Sequence, residues 1–408
     1  MKKVIKVLTA MVLMFVLCLS MSACSKETTT TSLEPIKKEN IKIGLICLHD
    51  ESSTYDKNFI DSMYRALEEL GIKKSQLELA TGIGEDDGCY EKAIELAQTC
   101  DIVFADSFGH EDFMIKAAKE NKNVYFCHST GTKAHTANLD NYFNAFASIY
   151  QGRYLAGIAA GMKLNEMIAN NQITAEEAII GYVGAFPYAE VISGYTAFYL
   201  GAKSVCETAT MKVRYTSDWY NYDKEKSAAE ALIKTDKCVL ISQHADSYGA
   251  PEACESLNVP NVTYNGTTVN KCPNTYVISS KIDWTPYYVT MISARINGNA
   301  VKEKDYSGNI ATGSVKLDAV GTAAAEGTQA AIDAAILKLN AGTLHVFDTS
   351  KFTVNGVTLT SYLADVDDLG DFQGETEVIM NGYFHESEYR SAPYFDLIID
   401  GITELNKK

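Results

Sequence analysis

Ile41-Lys42-Ile43-Gly44-Leu45-Ile46-Cys47-Leu48 is the stretch on which the fold turns. Its apolar residues run almost without interruption, as in a strand buried on both faces. A helical pattern follows at residues 58–70, where Phe59, Met63, Ala66, Leu67 and Leu70 recur at three- and four-residue spacing and share one face. The alternation continues with strand-like runs at 77–80, 102–105 and 124–127 and helical patterns at 91–98 and 110–120. Short apolar strands separated by amphipathic helices predict βαβ units and a parallel sheet, an α/β fold.

Further along, residues 149–165 read as a helix with Gly152, Ala156, Gly157, Ala160 and Gly161 on one side, small enough for another element to approach closely at the heart of a lobe. The polar stretch 165–178 reads as the crossing to a second lobe, because the pattern then restarts. Strands are expected at 179–183, 211–215, 239–242 and 262–264, with helices at 191–202, 224–234 and 251–257. Residues 277–280 lead back toward the first lobe, later helices fall at 287–296 and 323–340, and the sequence from His345 is irregular and acidic. Roughly 370 residues beyond the N-terminal segment are too many for one compact core and suit two domains. The expected division is 41–165 plus about 282–313 for the first lobe and 166–281 plus about 314–345 for the second. An irregular extension, 346–408, packs on both.

The N-terminus addresses the compartment. Lys2, Lys3 and Lys6 precede an apolar run at 7–19, and Met21-Ser22-Ala23-Cys24 closes it. This is the layout of a secretory leader, 1–23, and the run is short of the ~20 apolar residues of a membrane span. Its ending resembles a bacterial lipobox, with Met21 where leucine is commoner, which makes Cys24 the lipidated residue. The polar segment 24–40, with Thr28 to Thr31, is expected to be a flexible tether. The chain is then a soluble extracytoplasmic body held at the membrane by lipid alone. The formal charge of −16 becomes more acidic once the three leader lysines are gone, which argues against nucleic acid and anionic lipid as partners. The cysteines beyond Cys24 follow no framework spacing and form no C-x-x-C pair; Cys47, Cys127 and Cys238 lie in or at the ends of apolar runs, where cysteine acts as a small hydrophobe.

Catalytic motifs are lacking: there is no G-x-S-x-G, H-E-x-x-H or Walker loop. Asp365-Val366-Asp367-Asp368-Leu369-Gly370 lacks the acid and the glutamate that complete a calcium loop. His128 and His244 fall at strand ends, with Asp246 near, but no third firm ligand accompanies them, so neutral hydrogen-bonding histidines are expected and no metal or cofactor. His49-Asp50-Glu51 is the only acidic group near the first strand that a hydrolase could use. The remaining signal is aromatic residues beside polar ones at strand ends: Tyr55-Asp56-Lys57-Asn58-Phe59, Phe108, Phe186-Pro187-Tyr188, Asp218-Trp219-Tyr220-Asn221 and Lys281-Ile282-Asp283-Trp284. Ala105-Asp106-Ser107-Phe108-Gly109 is echoed by Ala245-Asp246-Ser247-Tyr248-Gly249, each after the third strand of its half. Ligands of open α/β sheets bind at carboxyl ends of strands, and aromatic faces with a few polar rim groups suit a flat heterocycle.

Several of these stretches resemble the basic membrane protein family of ABC-transporter lipoproteins, which includes purine and purine-nucleoside receptors. The matches are Asp56-Lys57-Asn58-Phe59, Gly152-Arg153-Tyr154-Leu155-Ala156-Gly157, the run from Ile180 to Pro187, Gly201-Ala202-Lys203-Ser204-Val205, Trp219 with residues 224–232, and Gln243-His244-Ala245-Asp246-Ser247. The resemblance implies a type I periplasmic-binding fold, two Rossmann-like lobes joined by three crossings. It implies a monomeric receptor that hands a purine base or nucleoside to a permease and its ATPase, and not an enzyme. The implied site comprises Tyr55, Asp56, Asn58, Phe59, Phe108, His128, Phe186, Trp219, Asp246, Asn265, Lys281 and Trp284, with the ring stacked between Phe59 and an aromatic of the second lobe. His128 and Asn265-Gly266 stand where many nucleoside-binding members carry aspartate; with Gln243-His244 and Asp283-Trp284 they are closer to the base-binding branch. Base and nucleoside both stay open. So do a flavin-like heterocycle, a sensing lipoprotein and, furthest, a nucleoside hydrolase.

Overall fold

The structure is a computed structural model that describes residues 33–367, 369–370 and 373–406; the expected leader and Cys24 lie outside these residues. The first half alternates β1 (Ile43–Ile46), α1 (Thr54–Leu70), β2 (Leu77–Ala80), α2 (Asp87–Ala97), β3 (Ile102–Ala105), α3 (Glu111–Glu120), β4 (Tyr125–Ser129) and β5 (Tyr142–Ala147). Then follow α4 (Ile149–Ala169), β6 (Ile179–Gly184), α5 (Ala189–Lys203), β7 (Thr210–Tyr215), α6 (Tyr222–Lys234), β8 (Leu240–His244), α7 (Gly249–Leu257), β9 (Asn261–Tyr264) and β10 (Tyr276–Ile282). The chain returns through α8 (Thr285–Asn297) and β11 (Asp305–Gly308), then goes back through β12 (Val315–Leu317) and α9 (Thr328–Asn340).

Two sheets result, ordered β11-β5-β4-β3-β1-β2 and β12-β10-β9-β8-β6-β7, with one more edge strand beyond β7 described below. The first is parallel throughout, with Ile43 opposite both Leu77 and Ile102. In the second, only the β10–β12 pair is antiparallel. The continuous apolar run of β1 is explained by burial on both faces: Ile43 and Leu45 join one core with Phe104, while Ile46 joins the other with Val103 and Ala105. Three connections cross between the lobes, β5 to α4, β10 to α8 and β11 to β12. They run side by side, Ser148 N donating to Gly308 O at 2.7 Å and Asp283 N to Ser314 O at 2.8 Å.

Three expectations change. First, the crossing after β5 comes at Ser148, not at 165–178. Helix α4 packs with the second lobe, its residues from Tyr154 to Leu164 sharing a core with Tyr182, Phe198 and Leu200. The small residues carry this contact. A Cβ on Gly157 would stand 2.0 Å from Phe198 O, and one on Gly201 would stand 2.0 Å from Tyr154 O, so α4 and α5 meet backbone to backbone. Second, the tether does not extend to residue 40. Ile36 N donates to Ile296 O at 2.8 Å and Arg295 Nη1 to Glu34 O at 3.0 Å, which docks residues 34–36 at the end of α8.

Third, the C-terminal segment is part of the fold. Two small antiparallel pairs, β13 (Leu363–Ala364) with β14 (Thr376–Glu377) and β15 (Ile379–Met380) with β16 (Tyr383–Phe384), precede β17 (Ile402–Glu404), which adds to β7 as the parallel edge of the second sheet. Phe395, Ile399 and Ile402 are buried in the second lobe's core. Between these elements the segment reaches the first lobe: Ser391 N and Oγ both donate to the Asp305 carboxylate at 2.6 Å, and Asn144 Nδ2 donates to Ser391 Oγ at 3.1 Å. The eight cysteines of the described residues are buried and unbridged. Among the described residues, no helix is long and apolar enough to cross a membrane.

Candidate functional site

The carboxyl ends of β1, β3 and β4 face those of β6 and β8, and a narrow cavity of about 20 Å³ lies between them. From the first lobe Leu48, His49, Tyr55, Asp56, Ser107, Phe108 and Thr130 line it; from the second, Glu190, Trp219, His244 and Asp246. A wider vestibule of about 680 Å³ opens from it, shares Phe108, Thr130, Glu190 and Trp219, and is walled on one side by Asp365, Arg390, Tyr394 and Asp396 of the C-terminal segment.

Local chemistry sets each wall. Ser53 caps α1, its side chain accepting from Asp56 N at 3.2 Å, so the first turn of the helix points at the cleft. Asp56 accepts from His49 N at 2.7 Å and lies 3.4 Å from His49 Nδ1. Burial pushes the Asp56 carboxyl up, but the hydrogen bonds from His49 and Ser53 outweigh it and hold the group below its ordinary value. The same bond raises His49. Asp106 is different: burial, then the neighbouring Asp56 charge, push its carboxyl well above the carboxylate range. Cys47, Asp56 and Asp106 offer ligand atoms all within 4.8 Å of one another, but Leu48 N and His49 N already occupy an oxygen of each carboxylate. Across the cleft, burial and the charge of Glu225 raise Asp246 well above its ordinary value. Asn265 Nδ2 donates to Asp246 Oδ1 at 3.1 Å. His244 Nε2 lies 3.4 Å from Glu190 Oε1.

The lobes touch directly. Thr54 N and Oγ1 both donate to Asp246 O at 3.0 Å, and the rings of His49 and Tyr220 stand 5.3 Å apart. Phe108 of the first lobe faces Tyr188 of the second with centroids 6.3 Å apart. Phe186 stacks on Tyr188 at 5.1 Å and meets Trp219 edge-on at 5.1 Å, so it buttresses the wall from behind. The two A-D-S-aromatic-G segments thus do converge: Ser107 and Phe108 from one and Asp246 from the other line the cavity.

Of the twelve expected residues, Tyr55, Asp56, Phe108, Trp219 and Asp246 line the cavity, and Phe186 and Asn265 support it. The other five are placed elsewhere. Phe59 is 1 % exposed and Trp284 2 %, and they stack on each other at 4.4 Å within the first lobe's core. Asn58 Nδ2 donates to Ile282 O at 2.6 Å and ties α1 to a crossing. His128 has both ring nitrogens engaged, Nε2 with Ser107 O at 2.7 Å and Nδ1 with Asn144 Oδ1 at 3.3 Å. Lys281 is paired with Asp318 at 2.6 Å. Sequence reading missed Thr130 and Glu190, and weighed His49 only as part of an acidic cluster. Glu190 had one available signal, its position in the first turn of the helix that follows Phe186-Pro187-Tyr188.

Residues 43–341 match the Bmp family model, described as ABC transporter substrate-binding protein PnrA-like. A purine-binding protein of Brucella abortus is 32% identical over 198 residues, covering 48% of this chain and 52% of that protein. TsgA13 of Haloferax volcanii, provisionally named an ABC transporter glucose-binding protein, is 34% identical over 218 residues, covering 53% and 51%. The chain therefore spans about half the length of these curated relatives. An ABC transporter solute-binding protein from Conexibacter woesei superposes with a TM-score of 0.60 at 19% identity, covering 75% of this chain and 98% of that one. The fold is the two-lobed type I periplasmic-binding fold, and the matched family is one of ABC transporter substrate-binding proteins, not enzymes. The chain belongs to the Bmp family of PnrA-like ABC transporter substrate-binding proteins.

Proposed function

We propose that this protein captures a purine base or nucleoside in the interlobe cleft and delivers it to an ABC permease and ATPase, as an extracytoplasmic lipoprotein anchored through Cys24. The observation that carries the reading is the cavity wall: Phe108 and Trp219, from opposite lobes, flank a rim of Asp56, Glu190, Asp246 and His244. Aromatic faces suit a flat ring. The rim sets Asp56, held below its ordinary pKa, beside Asp246, raised above its own, and unlike polar groups of this kind suit a heterocycle whose edge alternates N–H donors and ring-nitrogen acceptors. The purine-binding relative supports the same class; the glucose name of the other relative makes a sugar the alternative to test.

Purine bases and nucleosides are expected to raise the melting temperature, and glucose and amino acids are not. Ligand at a hundred times its Kd adds ~2.7 kcal/mol, a shift plain in a thermal scan. Stabilisation by glucose alone, or by a flavin alone, would replace this reading. The anchor is tested separately: Cys24→Ala should move the protein from the membrane to the soluble extracytoplasmic fraction. A variant that resists carbonate washing would rule the lipid tether out.

A further inference from the structure

Behind the cavity, the second lobe buries a charge that the ligand site does not use. Arg153, in the second turn of α4, is 0 % exposed, and it takes part in no ion pair among those resolved for the described residues. Its Nη2 donates to Gln243 O at 3.1 Å and its guanidinium lies 3.6 Å from the Tyr264 ring centroid, but Nε and Nη1 have no hydrogen-bond partner. A buried guanidinium with unmet N–H groups is costly. His244, 3 % exposed, also has an unmet ring nitrogen, Nδ1. His244 Nδ1 and Arg153 Nε border one place. An ideal Cβ on Gly194 would stand 3.1 Å from His244 Nδ1 and 3.6 Å from Arg153 Nε. Gly194 follows Glu190 by one turn of α5, so a single helix face presents Glu190 to one ring nitrogen of His244 and the glycine gap to the other.

We propose that Arg153 is a positioning and specificity residue: through one buried water over Gly194 it supplies the donor to His244 Nδ1 and so fixes His244 as the Nε2–H tautomer facing Glu190 at the cleft wall. The water accepts from Arg153 Nε–H and donates to Nδ1, which satisfies two of the three unmet groups and leaves Arg153 Nη1. Nε2–H then points at Glu190, the partner its position already implies. The imidazole stays neutral, because burial lowers its pKa, the Glu190 hydrogen bond raises it and the Arg153 charge lowers it again. Nε2–H is thereby committed to Glu190, so the pair offers the ligand the Glu190 carboxylate as an acceptor and selects a ligand edge with an N–H. This rests on the purine reading only for the identity of the ligand; the tautomer is a property of the free protein.

Ring-¹⁵N histidine labelling reads it without ligand. The chain has seven histidines, and His244→Gln assigns the signal by its loss. The expected wild-type spectrum at neutral pH shows a protonated Nε2 and a bare Nδ1. Arg153→Met should shift the signal toward the Nδ1–H form, and binding of adenine should weaken roughly 2- to 12-fold, as for one lost neutral hydrogen bond. If Arg153→Met does not fold, Gly194→Ala keeps the charge, fills the water's place and should give the same shift. An Nδ1–H or doubly protonated His244 in the wild type overturns the proposal, as does an unchanged tautomer in a folded variant. A correct tautomer in a protein that binds no purine leaves this inference standing and removes the purine reading.

Discussion

Replacing Phe59 with alanine is expected to cost the protein about 3–5 kcal/mol of stability while leaving ligand affinity in the folded fraction unchanged. Phe59 is 1 % exposed and packs in a core with Met63, Leu67, Trp284 and Tyr288. Its ring stacks on Trp284 at 4.4 Å with an interplanar angle of 19° and meets Tyr55 at 4.9 Å. Truncation removes a whole aromatic from a site whose walls are helix and sheet, so the space left behind cannot collapse easily. Denaturant unfolding followed through Trp284 measures the loss, and calorimetric titration of the folded variant measures the affinity. A marked fall in affinity with little change in stability would return Phe59 to the cleft wall.

Trp219→Ala is expected to do the reverse. Base–aromatic stacking is worth ~1–3 kcal/mol, so binding of a purine should weaken roughly 5- to 150-fold. Trp219 lines both the cavity and the vestibule, with Phe186, Tyr188 and His244 as ring neighbours. The chain has two tryptophans, and Trp284 is sealed in the first lobe's core. A ligand-induced change in emission should therefore come from Trp219 alone and persist in Trp284→Phe. If affinity survives in a folded Trp219→Ala, the ring does not bear on the ligand.

The contrast between these two residues shows how far the sequence could be read. Strand–helix alternation was legible because each short strand is buried on both faces and each surface helix keeps its apolar stripe. The stripe of α1 already put Phe59 on the same face as Met63 and Leu67. Its assignment to the ligand came from the family resemblance and ran against that periodicity; the helix places it in the core, a turn below Tyr55 and Asp56. Lys281 and Trp284 were placed by proximity to a crossing, but Lys281 is spent on Asp318, and Trp284 closes the core under α1. Helix α4 was given to the wrong lobe because it is buried nearly all round and so has no polar face to indicate its side. The polar stretch that follows it looks like a linker and is only the turn into β6.

The late strand β17 bears on the order in which the chain can acquire structure. Edge pairing between β7 and β17, and the hydrogen bond from Tyr215 N to the Asn406 side chain, join positions 191 residues apart. The first sheet waits in the same way for β11, which pairs with β5 from beyond strands β6 to β10 of the second lobe. Neither half can be completed from the residues made first, and closing such long loops is slow. A nascent chain would pass through synthesis with unfinished sheets, a state that a threading translocase can accept and that exposes open edges to aggregation until the last strands arrive.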